Sequence, residues 1–183
     1  MVITCLPYEL RSIIEVYVVG IRYDTIEDGI HEIGYKTSKN KLHGNCKMWY
    51  ESGQLLRDRN YEDGRLHGNY KVWYESGQLF SEVIYKDGRE HGNCKMWYES
   101  GQLLCDRNYK DGRLHGNYKV WYESGQLYYD INYKDGRLHG NYKVWYESGQ
   151  LYYDRNYKDG VFVTDFCIFF KFFLCFFKFF SGT

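Results

Sequence analysis

Five histidines, His43, His67, His91, His115 and His139, each precede a Gly-Asn pair and stand 24 residues apart. Imidazole is a common ligand for divalent metals, so zinc binding is the first chemistry to test. Zinc needs several ligands at ~2.0–2.3 Å. Groups that recur at one phase of a strand array are spaced ~10 Å apart, two strands at a time. These histidines alone cannot share an ion, so a structural or solvent-facing role is expected. Ser, His and Asp also recur in every unit, yet an active site needs one asymmetric constellation in mutual contact. Repetition offers no such singular place, so the chain is expected to be no enzyme, with no metal and no small-molecule cofactor. The six cysteines, Cys5, Cys46, Cys94, Cys105, Cys167 and Cys175, contain no Cys-x-x-Cys pair. Cys46 and Cys94 take the phase of Tyr70, Tyr118 and Tyr142 and should lie ~20 Å apart, far beyond disulfide reach. They read as tyrosine replacements in a reducing, cytoplasmic setting.

A second set of residues could bind rather than react. Lys71, Lys95, Lys119 and Lys143 share a face and a phase with Trp73, Trp97, Trp121 and Trp145. Such a ladder could grip an acidic peptide or anionic lipid headgroups. The same ladder also serves solubility and packing, because Lys stems shield rings on an exposed sheet.

The elements that must carry these residues follow from composition and period. Lys plus Arg and Asp plus Glu each number 24, so the formal net charge is zero. That argues against nucleic acid as a partner. The chain has no Ala and 20% aromatic residues, including 21 Tyr. This composition suits strands and not long helices. Five full units run from Thr37 to Asn156, with an incomplete sixth from Tyr157 to Gly160. Residues 13–36 read as a degenerate repeat, with Gly20 and Gly29 one period before Gly44 and Gly53. In the unit from Tyr109, Leu114–Tyr122 is a predicted strand and Glu123–Gln126 a turn. Leu127–Tyr133 is a second strand, and Lys134–Arg137 a second turn carrying the Asp-Gly hairpin signal. Asn40 replaces the turn glycine in the first full unit.

The resulting fold class is all-β: one elongated, single-layer antiparallel meander of hairpins. Alternation assigns Gly116, Tyr118, Val120 and Tyr122 to one face, with Leu127, Tyr129, Ile131 and Tyr133 grouped together in the next strand. His115, Asn117, Lys119 and Trp121 take the other face, and Tyr128, Asp130 and Asn132 lie opposite the Leu127 row. Gly116, inside a strand, is expected to be covered by a neighbouring aromatic ring. A lone hairpin is marginal in water, so each unit must shelter its rings on its neighbours.

Residues 133–151, Tyr-Lys-Asp-Gly-Arg-Leu-His-Gly-Asn-Tyr-Lys-Val-Trp-Tyr-Glu-Ser-Gly-Gln-Leu, resemble the variant class of MORN (membrane occupation and recognition nexus) repeats. The resemblance covers residues 37–160 and extends in degenerate form over 13–36. It implies a twisted sheet of hairpins acting as a non-catalytic scaffold, with a protein partner and anionic lipid as a further ligand class. Variant arrays of this type also occur as antitoxin components in bacteria and are abundant in giant DNA viruses. An antitoxin-like inhibitor that binds a partner protein is therefore the alternative reading. Aromatic cell-wall repeats that cage choline by cation–π contact are a neighbouring comparison, but they belong to secreted proteins. The start of this chain carries no basic residue before its apolar part, so no secretory signal is expected.

The ends depart from the repeat. Leu6-Pro7-Tyr8-Glu9-Leu10 resembles the opening of an F-box, and residues 1–12 read as that or as an N-terminal cap with a short helix. Ten of the eleven Phe lie between Phe162 and Phe180, so residues 161–183 form a Phe-rich tail, irregular or helical. Phe169, Phe170, Lys171, Phe172, Phe173, Phe176, Phe177 and Lys178 are its candidate membrane contacts, which would make the chain a tethered scaffold. A decayed reading frame would also encode such a Phe and Lys tract.

Overall fold

The structure, a computed structural model, describes residues 21–27 and 29–163. The F-box-like start, the expected short N-terminal helix and the candidate membrane contacts Phe169 to Lys178 lie outside those residues. Thirteen strands follow one another: β1 Ile21–Glu27, β2 Ile30–Lys36, β3 Gly44–Trp49, β4 Leu55–Glu62, β5 Arg65–Trp73, β6 Leu79–Lys86, β7 Arg89–Trp97, β8 Leu103–Lys110, β9 Arg113–Trp121, β10 Leu127–Lys134, β11 Arg137–Trp145, β12 Leu151–Lys158 and β13 Val161–Val163. They pair in chain order as one antiparallel sheet. This is the single-layer meander that the period demands.

Two turn types alternate, each explained by its glycine. At Lys134–Arg137, Asp135 and Gly136 both have positive φ, 50° and 82°. This two-residue turn matches the twist of the flanking strands. Asn40 holds φ 57° at the corresponding place in the first unit, the conformation that Asn tolerates best after Gly. At the other end Tyr122 N–H donates to Gln126 O, and Gly125 N–H to Tyr122 O, both at 2.9 Å. Tyr122 is thereby taken into the turn, and β9 ends one residue earlier than the sequence suggests.

Bulges set the register. In the β8–β9 hairpin Tyr109 pairs with Leu114, but Arg107 pairs with Tyr118, so Asn108 faces three residues, His115 to Asn117. Gly116 lies in this bulge with φ 87°. An added Cβ there would meet only the Asn108 Cβ, at 3.9 Å. The expected ring over Gly116 is therefore absent; the glycine is needed for its backbone conformation. A ring does cover a glycine elsewhere. At Gly34 an added Cβ would come within 2.6 Å of the Tyr23 hydroxyl.

The second bulge corrects the assignment of faces. Leu127 pairs with Trp121 and Tyr129 with Val120, which leaves Tyr128 as the extra residue. Tyr128 was expected on the face opposite Tyr129, yet the two rings lie 3.8 Å apart. A bulge of one residue breaks strict alternation.

The core lies on the face that carries Tyr118 and Val120. Cys46, Val83, Cys94, Cys105, Ile131 and Val144 are buried there, together with Ser81. Cross-strand pairs join them: Val83 faces Cys94, Cys94 faces Arg107, and Ile131 faces Tyr142. The guanidiniums of Arg59 and Arg107 cover the rings of Tyr61 and Tyr109 at 5.5 and 5.3 Å. A single layer thus buries its apolar groups by folding long side chains over them.

The Gly116 explanation can be tested directly. Gly116→Val should cost about 1–2 kcal/mol, the penalty for an L-residue at positive φ. Gly116→Asn should cost distinctly less, because Asn tolerates that region. Thermal melts of the two variants give the comparison; equal losses would point to steric exclusion instead.

Candidate functional site

The charged face is a closed zipper. Lys47, Lys71, Lys95, Lys119 and Lys143 meet Asp58, Glu82, Asp106, Asp130 and Asp154 at 3.0 to 3.7 Å. The register also places an acid on the other side of each later lysine: Asp58 faces Lys71, Glu82 faces Lys95, Asp106 faces Lys119 and Asp130 faces Lys143. Lys71, Lys95, Lys119 and Lys143 are thus flanked by carboxylates on both sides. These partly exposed pairs contribute little singly. As a row, however, they leave no uncompensated cationic stripe. Trp73, Trp97, Trp121 and Trp145 hold the same phase at the end of their strands. Among the described residues, the cation–π contacts involve Tyr and Phe rings rather than Trp.

The tryptophan backbone has a structural duty. Tyr50, Tyr74, Tyr98 and Tyr122 each donate a hydroxyl hydrogen bond to the carbonyl of the tryptophan one unit later, at 2.9 to 3.2 Å. The histidines staple the opposite edge. His91, His115 and His139 place Nδ1 3.2 Å from Oδ1 of Asp111, Asp135 and Asp159, each in the next Asp-Gly turn. The backbone N–H of each of those aspartates also lies 3.3 to 3.4 Å from the same Nδ1. A neutral ring accepts from that N–H; a protonated ring donates to the carboxylate. The contact recurs in three successive units.

The aromatic face is not uniform along the chain. Units four and five alone carry a Tyr-Tyr doublet after Gln-Leu, at Tyr128–Tyr129 and Tyr152–Tyr153. With Tyr122, Tyr142, Tyr146 and Tyr157 they line an open groove of about 680 Å³, completed by Leu138, Val144 and Trp145. No lining residue carries a formal charge at neutral pH. Tyr122 and Tyr128 meet at 4.7 Å between ring centroids, and Tyr146 and Tyr152 at 5.0 Å. Tyr129 donates its hydroxyl to Tyr128 at 2.7 Å, leaving the Tyr128 proton free to point elsewhere. That hydrogen bond, with burial, pushes the Tyr129 phenol well above its usual range. The groove therefore offers ring faces and neutral donors. Tyr152 is 63% exposed.

The expectation that nothing is singular to one unit fails in a second place. At the N-terminal end, Tyr23 hydroxyl, Cys46 thiol and Arg59 Nη2 all donate to Oε1 of Glu32, at 2.5, 3.0 and 3.1 Å. Burial alone would raise the Glu32 pKa; the Tyr23 and Cys46 hydrogen bonds and the Arg59 charge outweigh it and hold it low. This fourfold contact joins β1, β2, β3 and β4. It locks the four strands together through one carboxylate oxygen. Cys94 and Cys105 lie in the core as free thiols, and burial pushes Cys105 up to about 11.

Two outcomes follow. Lys119→Glu sets a third acid between Asp106 and Asp130 and reverses two cross-strand pairs, so it should lower stability by roughly 1–2 kcal/mol, whereas Lys119→Gln should cost less. Guanidinium melts separate the two variants. For Cys105 the folded pKa lies above the unfolded value of ~8.5. Its contribution to stability is full below that value and is lost as pH rises toward about 11. Iodoacetamide at pH 8 should therefore leave Cys105 unmodified in the native protein and alkylate it after denaturation, as read by peptide mass spectrometry.

A comparison with curated proteins returns no match. A family model described as MORN repeat variant matches residues 42–63, 66–87, 90–111, 114–135 and 138–159, together more than half of the chain. Each matched segment spans two consecutive strands and stops inside an Asp-Gly turn, so family unit and structural unit coincide. Repeats of this kind generally build non-catalytic scaffolds that bind protein or lipid. The chain belongs to the MORN repeat variant family.

Proposed function

We propose that this chain is a scaffold that docks an extended segment of a partner protein on its aromatic face, in the groove of units four and five. The observation that carries this reading is the uncharged, tyrosine-lined groove itself. Tyrosine supplies contact area at low entropic cost and a hydroxyl for main-chain acceptors, the combination that protein-binding surfaces favour. Anionic lipid would need uncompensated cations, and the lysines of the charged face already stand between carboxylates. The Lys–Trp ladder of residues 71 to 145 is then best read as packing and solubility, with lipid the poorer ligand. An antitoxin-like inhibitor that acts by occupying its target would use the same groove.

The test compares variants of the two faces. Tyr128→Ala with Tyr152→Ala should abolish recovery of a specific partner from the native host, while Lys119→Gln with Lys143→Gln should leave it intact. Sedimentation with phosphatidylserine vesicles should be equal for both pairs. Partner loss on the lysine side, or vesicle binding lost with the lysines, would overturn the reading.

A further inference from the structure

The groove has a pitch as well as a surface. Tyr122–Tyr128 in unit four and Tyr146–Tyr152 in unit five are equivalent ring pairs, one repeat apart. One repeat is two strands, ~9.6 Å across the sheet. A polyproline II helix completes a turn in three residues at ~3.1 Å each, ~9.3 Å. The two periods agree to within a few tenths of an ångström. A chain lying across the strands in that conformation would present the same side to both ring pairs.

Chemistry narrows the occupant further. The lining holds no charged side chain, although the Arg155 guanidinium lies 5.0 Å from the Tyr153 ring, and its side-chain donors are phenol hydroxyls and the Trp145 indole N–H. A polyproline segment has no internal hydrogen bonds, so its carbonyls remain available as acceptors. Proline rings are apolar and pack flat against aromatic faces, which is how aromatic-lined grooves read such segments. Glu123 and Glu147 immediately follow Tyr122 and Tyr146, which line the groove, and both are exposed. A basic residue beside the prolines would meet them. Unit three breaks the row, because Leu104 stands where Tyr128 and Tyr152 stand; unit two has the related pair Tyr74–Phe80 at 5.2 Å.

We propose that the groove of units four and five binds a proline-rich segment of Pro-x-x-Pro spacing with a basic flank, one proline on Tyr122–Tyr128 and the next on Tyr146–Tyr152. This rests on the docking reading above and names the chemistry of its partner. The occupant lies across the strands, reads ring spacing through its prolines, and draws its orientation from Glu123 and Glu147.

The experiment uses the full chain and a fluorescein-labelled dodecapeptide with two Pro-x-x-Pro turns and one terminal arginine, followed by anisotropy. Saturable binding is expected. Tyr128→Ala and Tyr152→Ala should each weaken it about tenfold, Tyr152→Phe only slightly, and Glu147→Gln should weaken it in a manner removed by salt. Tyr152 is largely exposed, so its replacement leaves the fold intact, as circular dichroism would verify. A peptide with Pro-x-x-x-Pro spacing should bind more weakly than the matched one. Three results would overturn the proposal: equal binding of an alanine-substituted peptide, equal binding by the Tyr152→Ala variant, or binding only after residues 164–183 are deleted, which would make the chain's own C-terminal segment the occupant. If the alanine peptide binds and Tyr152→Ala abolishes it, the docking reading stands without the proline specificity. If no peptide binds and the groove variants also leave partner recovery unchanged, both fall.

Discussion

The arrangement depends on one backbone constraint, the positive φ that recurs in each His-Gly-Asn segment. Gly68, Gly92, Gly116 and Gly140 adopt φ of 88°, 84°, 87° and 103°. Each opens a bulge that offsets the pairing by two residues, from Tyr133–Leu138 to Ile131–Tyr142 in the β10–β11 hairpin. An offset of two preserves parity, so residues on one face stay on that face across the bulge. An offset of one would have turned every later side chain over. The aromatic face therefore continues from strand to strand, and unit can follow unit indefinitely. The other bulge, at Tyr128, is an offset of one and sits where a strand begins. There it changes the face of a single residue and brings two tyrosines together.

With parity fixed, each face solves a different problem. The charged face keeps a broad sheet soluble while cancelling its own field, acid beside lysine, strand after strand. The aromatic face must fill space at a constant pitch with unequal side chains. Units one and three combine Cys46 with Met48 and Arg59, and Cys94 with Met96 and Arg107. Units two and four combine Tyr70 with Val72 and Val83, and Tyr118 with Val120 and Ile131. The register sets Cys46 opposite Arg59, Cys94 opposite Arg107, Tyr70 opposite Val83 and Tyr118 opposite Ile131. Within the first four units a small thiol is matched with a long partner and a large phenol with a short one, whereas across the next hairpin Arg59 faces Tyr70, Arg107 faces Tyr118 and Cys94 faces Val83. Cores tolerate such exchange when total volume is kept. The cysteines are thus explained by packing, and their raised pKa values fit that role.

Much of the fold was legible because the period, the Asp-Gly turns and the aromatic strands all report the same local geometry. Asn40 and the turn glycines took their expected conformations. What could not be read was whatever depends on pairing between strands. Alternation along one strand says nothing of a bulge closed by Tyr122 and Gln126, so it does not reveal that Tyr128 shares a face with Tyr129. Gly116 was correctly singled out, but a glycine in a strand pattern signals either close approach or unusual φ, and sequence does not distinguish them. The lysine ladder was visible from its phase, whereas the carboxylates at the same level come from the neighbouring strand. The groove has one signal in the sequence, the Tyr-Tyr doublet confined to units four and five, set among otherwise near-identical repeats.

That last point bears on where function can reside in such an array. A perfectly repeated surface presents the same contact every ~10 Å, and a partner would slide along it with no preferred register. Recognition at one place requires a difference between units. Two such differences bring several side chains of the described residues together. The Glu32 cluster at the N-terminal end turns the Tyr23, Cys46 and Arg59 donors onto one carboxylate oxygen and so ties β1 to β4 together. The tyrosine doublets at the other end leave the Tyr152 ring exposed and the Tyr128 hydroxyl proton unused by Tyr129, on a backbone built with the same bulges and staples as the other units. Replacing Leu by Tyr at Tyr128 and Tyr152 adds aromatic surface that the sheet does not need for its own burial, as the exposure of Tyr152 attests. Side chains that a fold does not consume are the ones available to a partner.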